Sequence, residues 1–102
     1  GFQHLQKAFS RLYLNGNKIQ GDNDLQLNST ILTALHLRGN ELSDLGASNL
    51  GRSLQFNSTL KTLDLSANRI TDVGIQDLGI SLLSNATLTA LNLSDNQITS
   101  IG

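Results

Sequence analysis

The feature that most constrains this chain is a repeat. Leu32, Leu60 and Leu88 each open one pattern, L-x-x-L-x-L-x-x-N-x-L, at a spacing of 28 residues. A fourth copy begins at Phe9, 23 residues before Leu32, so the first unit is five residues short. The four motifs occupy residues 9–19, 32–42, 60–70 and 88–98, and only Phe or Ile replaces Leu in them. A short unit of this kind cannot bury its apolar face alone; it must stack on a neighbour, and the stack becomes a continuous core. The composition agrees. Apolar residues make up 38% of the 102 residues, yet only four are aromatic. Layers of aliphatic side chains, rather than a few large rings, must fill such an interior.

Within each copy, two Leu stand two residues apart: Leu12 and Leu14, Leu35 and Leu37, Leu63 and Leu65, Leu91 and Leu93. That is strand periodicity, which turns both side chains to one face. The spacing predicts four parallel strands, one per unit, joined by right-handed crossovers. The Asn of each copy (Asn17, Asn40, Asn68, Asn96) falls where the chain leaves the strand. A side-chain amide both donates and accepts, so stacked copies can form an asparagine ladder that satisfies backbone groups of the turn and of the adjacent unit. Each such group left buried without a partner costs about 1–3 kcal/mol.

The return segments of the second and third units predict helices. Ala47, Leu50 and Leu54, and again Ile75, Leu78 and Leu82, form one apolar stripe at helical spacing. Asp44 and Asp72 are expected as the N-caps. Gly51 and Gly79 sit at equivalent helical positions, where the loss of about 1 kcal/mol in helix propensity is tolerable if the backbone packs closely. The stretch from Gln20 to Leu27 is too short for a full helix and predicts a loop. Residues 2–8 have the spacing of the end of a preceding helix.

The four copies together resemble the leucine-rich repeat signature over almost the whole chain. The 28-residue period and helical return are similar to the ribonuclease-inhibitor class, which includes the repeat regions of NOD-like receptors. The resemblance implies an α/β fold: a right-handed leucine-rich repeat solenoid, with a curved parallel sheet on the concave side and helices on the convex side. Residues 1–102 are then expected to be a single domain and a piece of a longer array, because no polar cap pattern closes the C-terminal end.

Several function classes lack support. Net charge is −1, from seven basic and eight acidic residues, with no run of one sign; nucleic acid is not an expected partner. No apolar run approaches the length that spans a bilayer, so no membrane insertion is expected. With no cysteine, disulfide frameworks and thiolate metal sites are excluded. That favours a cytoplasmic setting over an extracellular one. Asp22, Asn23 and Asp24 miss the ligand register of a calcium loop. His36 and Asp64 fall on adjacent strands, but no nucleophile accompanies them; His4 is the other histidine. The chain is not expected to be an enzyme, and no metal or cofactor is expected.

Four N-x-[ST] sequons occur, at Asn28, Asn57, Asn85 and Asn92. The first three recur just before the Leu that opens a strand, where Asn suits the turn from helix to strand. A structural role is the better reading there, with glycosylation in a secreted protein as the alternative.

The outward strand positions remain. In register they give three rows: Arg11, Ala34, Thr62, Ala90; then Tyr13, His36, Asp64, Asn92; then Asn15, Arg38, Ser66, Ser94. These rows differ from unit to unit while the framework Leu and Asn do not. The resemblance implies that partners are held on this concave face. The candidate binding residues are therefore Arg11, Tyr13, Asn15, His36, Arg38, Thr62, Asp64, Ser66, Asn92 and Ser94. The expected function is protein–protein interaction with a protein partner. Self-association through uncapped repeat ends is the competing expectation. Ile80 and Leu83, apolar and off the inward stripe of the third unit's helix, mark the alternative convex surface.

Overall fold

A computed structural model describes Leu5, residues 11–16, Leu27 and residues 31–98. The helix tail expected at residues 2–8 apart from Leu5, His4, Asn17, the loop at residues 20–26 with its acidic triplet, the sequon at Asn28 and the terminal Ile101–Gly102 lie outside these residues.

Four short strands, β1 (Arg11–Tyr13), β2 (Ala34–His36), β3 (Thr62–Asp64) and β4 (Ala90–Asn92), form one sheet in the order β1-β2-β3-β4. All three pairings are parallel, and the register aligns Leu12, Leu35, Leu63 and Leu91. The strands are centred where the Leu pairs place them. Pairing runs on past the strands: Leu37 N donates to Asp64 O at 2.8 Å and Leu65 N to Asn92 O at 2.8 Å. Helices α1 (Asp44–Leu54) and α2 (Asp72–Leu82) return the chain between β2, β3 and β4.

Leu35, Leu37, Leu63 and Leu65 from the strands, with Leu42, Ile70, Ala47, Leu50 and Leu54, are fully buried. Full burial of one Leu contributes roughly 1.5–3 kcal/mol relative to leaving it exposed, so each complete layer carries a large share of stability. The fourth layer is different. Leu88, Leu91 and Leu93 are only half-buried against the same core, because among the described residues no strand pairs with the outer edge of β4.

The turn after each strand needs a left-handed residue. Gly16, Gly39, Ala67 and Asp95 hold equivalent positions and have φ of 68°, 69°, 54° and 57°. Glycine adopts this conformation at no steric cost, and Asp tolerates it better than Ala.

The helix starts correct one expectation. The N-caps are Ser43 and Thr71, not Asp44 and Asp72, which are the first helical residues. Thr71 caps its own helix by accepting from Val73 N at 3.3 Å. Asp44 instead reaches the next repeat. Its Oδ1 accepts from Thr71 N at 2.7 Å and Gly74 N at 3.1 Å, and its Oδ2 from Thr71 Oγ1 at 2.6 Å. From the first helical position the carboxylate extends beyond its own first turn and meets the unsatisfied N–H groups that open the following helix.

Candidate functional site

The alternation that drives the strand leucines inward leaves the other side of the sheet open. Tyr13 stands out on that face, 63% exposed. Its ring stacks on His36 with centroids 4.5 Å apart and planes 7° from parallel. His36 Nδ1 in turn lies 4.0 Å from Asp64 Oδ2. The middle row is thus linked across β1, β2 and β3. Asn92 continues it at β4, where its Oδ1 accepts from Ser94 N at 3.0 Å and Ser94 Oγ at 2.8 Å.

The third row does not form a uniform surface. Arg38 crosses it: its guanidinium donates to Ser66 Oγ at 2.9 Å and lies 3.8 Å from Asp95 Oδ2. Ser66 is therefore fully buried. This corrects its expected place among the exposed contact residues, because the long Arg38 side chain from the neighbouring strand covers it. Ser66 also donates from N and Oγ to Asp64 Oδ1, at 2.9 and 2.6 Å, so it fixes both charged neighbours. Asn15 accepts from Arg38 N at 3.0 Å, and Ser94 remains exposed.

The first row is low. Ala34 is buried, and Thr62 and Ala90 are small. Two adjoining grooves follow it, of 320 and 470 Å³, and they share His36 and Thr62. Lys61, Thr33 and Thr89 also line them. The outward-row reading missed these three. The signal available was their common position, directly after the Leu that opens each motif.

Behind the face, the asparagines join the repeats. Asn40 Nδ2 donates to Leu14 O at 3.0 Å and Leu37 O at 2.9 Å. Asn68 Nδ2 donates to Leu37 O and Leu65 O, both at 3.0 Å, while its Oδ1 accepts from Leu42 N at 3.0 Å. Asn96 repeats this with Leu65 O, Leu93 O and Ile70 N. The sequon residues Asn57 and Asn85 do similar work at the opposite end of the strands. Asn57 Oδ1 accepts from Leu60 N at 2.8 Å, and Asn85 Oδ1 from Leu88 N at 2.8 Å. Asn85 Nδ2, the atom a glycan would use, donates to Leu54 O at 2.6 Å and Asn57 O at 3.1 Å.

A titratable group held away from its usual range lies in the framework. Burial opposes ionisation of Asp44, but the Thr71 hydroxyl and the amides of Thr71 and Gly74 together outweigh it and lower its pKa. Among the described residues no group of three or more His, Cys, Asp or Glu is placed to hold a metal ion. No described helix is long and apolar enough to cross a membrane.

Stacked strand–helix units with a parallel sheet define a leucine-rich repeat protein. The chain belongs to that family: the Leucine Rich repeat model matches residues 28–51, 56–79 and 84–102. Among solved structures it is similar to one described as Leiomodin-1 Actin-Binding Site 2, with a TM-score of 0.81 at 24% identity. That likeness covers 93% of this chain and 60% of the other, so it spans less than two thirds of the other's length. No curated protein matches the chain.

Proposed function

We propose that this chain is a protein-recognition module, without catalytic function, that binds its partner on the open face of the sheet. The observation that carries this reading is the contrast between framework and face. The Leu and Asn positions are committed to the core and to bonds between repeats. The middle row, held on the same rigid strands, changes from Tyr13 to His36 to Asp64 to Asn92. Side chains already held in place lose little entropy on docking, and Tyr and Arg are favoured anchors. The structural neighbour is named for binding actin, a protein ligand, which makes actin the first candidate to test.

Site-specific photo-crosslinking provides the test. A benzoylphenylalanine at Tyr13 should capture a defined partner, whereas the same group at Ile80 or Leu83 should not. Capture only from the helix positions would move the functional surface to the convex side.

A second reading has its own observation. Leu83 is 87% exposed, and the leucines of the β4 layer are half-buried beside a strand edge that no described strand pairs with. Such an edge can pair with another copy and make a self-associating scaffold. Sedimentation equilibrium separates the two: a monomer at high concentration rules out the scaffold.

A further inference from the structure

We propose that the groove over Ala34, Thr62 and Ala90 holds an extended segment of the partner that sets an acidic side chain between Arg11 and Lys61. This rests on the reading of the open face as the binding surface and adds the chemistry of what is bound there.

Three observations converge. The groove runs across the strands, because beyond Arg11 the first outward row is built of small residues while the next row carries Tyr13 and His36. The floor extends across neighbouring strands about 4.8 Å apart, and this elongated shape suits an extended chain laid from unit to unit better than a compact ligand.

Charge is distributed unevenly along it. The smaller groove is lined by Arg11, Lys61 and His36 and by no carboxylate. Among the described residues neither Arg11 nor Lys61 has a carboxylate within ion-pair distance. The other three arginines on the described surface differ, Arg52 lying on α1 rather than on the sheet. Arg38 is engaged with Asp95, and Arg69 lies 3.8 Å from Glu41 Oε2 on another part of the molecule. Asp64 enters only the larger groove, on the far side of His36.

Arg11 and Lys61 are also exposed. Their long stems can adjust to a carboxylate, while the Tyr13–His36 stack beside them gives a flat apolar wall. A charge at the rim of an interface acts mainly on the association rate and its salt dependence, and each contact contributes modestly. Two together should produce about a tenfold effect in low salt.

The test uses three synthetic seven-residue peptides, Ser-Val-X-X-Thr-Val-Ser, with X as Glu, Gln or Lys, titrated into the isotopically labelled chain and followed by NMR. The Glu peptide should bind about tenfold more tightly than the Gln peptide, shift the amides of Ala34, Lys61 and Thr62, and weaken with added salt. The double variant Arg11→Gln, Lys61→Gln should lose that preference and keep its melting temperature, since both side chains are exposed. Equal affinities for Glu and Gln peptides, or shifts confined to other residues, would overturn the proposal. The broader reading fails separately. A partner captured from Tyr13 whose affinity ignores the double variant sinks only the acidic segment, whereas capture solely from the helices sinks both.

Discussion

Asp44 is bonded to Thr71, the N-cap of the helix in the next repeat, and not to the start of its own helix. Gly74 makes this possible: a methyl group there would stand 2.5 Å from Asp44 Oδ1 and 2.8 Å from Ile70 Cγ2. One carboxylate thus satisfies two N–H groups and a hydroxyl across an inter-repeat boundary.

Replacing Asp44 with Ala should destabilise the chain by about 2 kcal/mol, the scale for losing hydrogen bonds to a charged group, as read by urea denaturation. The pH dependence follows from the direction of the pKa. The folded carboxyl titrates below its unfolded value of about 3.9, so its stabilisation is present above that value and is lost as pH falls through the folded pKa. The advantage of the parent over Asp44→Asn should therefore shrink below about pH 5. A constant difference from pH 7 to pH 2 would show that ionisation of Asp44 contributes nothing.

Asn68→Ala should cost about 1–3 kcal/mol, because Asn68 serves two repeats through Leu37 O, Leu65 O and Leu42 N. Asn92→Ala, which trims an exposed side chain whose bonds go to the nearby Ser94, should stay within about 0.5 kcal/mol. Parallel chemical denaturation of the two variants decides it, and equal losses would remove the asparagines from the framework role.

Ala67 is the residue least suited to its place. Its φ of 54° carries a steric cost of about 1–2 kcal/mol for an L-residue. Ala67→Gly removes that cost but adds freedom to the unfolded chain, so a net gain of about 0.5 kcal/mol is expected. The reverse change at the equivalent Gly39, with φ of 69°, should cost about 1 kcal/mol. Thermal melting of both variants reads the opposite signs; two shifts of the same sign would contradict the turn geometry.

The strand centres and the inward helical stripes were legible because periodicity alone encodes them: Leu12, Leu35, Leu63 and Leu91 align in the sheet as their spacing requires. What escaped the sequence depends on the neighbouring unit. Asp44 has the composition of a local cap, yet its partners lie 27 and 30 residues away. Ser66 belongs to an outward row, yet Arg38 of the adjacent strand covers it. Lys61 borders the groove although strict alternation would not count it among the outward rows. Side-chain length and reach across units decided these three positions, and neither is a property of one repeat's pattern.

Gly51 and Gly79 show how far identical sequence positions can diverge. Both lie inside 11-residue helices, where exchanging Gly for Ala should gain about 1 kcal/mol of helix propensity. At Gly79 a methyl group would meet nothing within 4 Å, so the full gain is available. At Gly51 the same methyl would stand 2.9 Å from Ser81 Oγ and 3.3 Å from Ser81 Cβ. Ser81 is itself buried, so it must turn, and the helices must separate slightly to admit the extra carbon. Overpacking of this kind costs about 1–3 kcal/mol, which cancels or exceeds the propensity gain. Gly79→Ala should therefore raise the melting temperature, and Gly51→Ala should leave it unchanged or lower it. An increase of equal size at both positions would mean that the contact between α1 and α2 is looser than the 2.9 Å approach indicates.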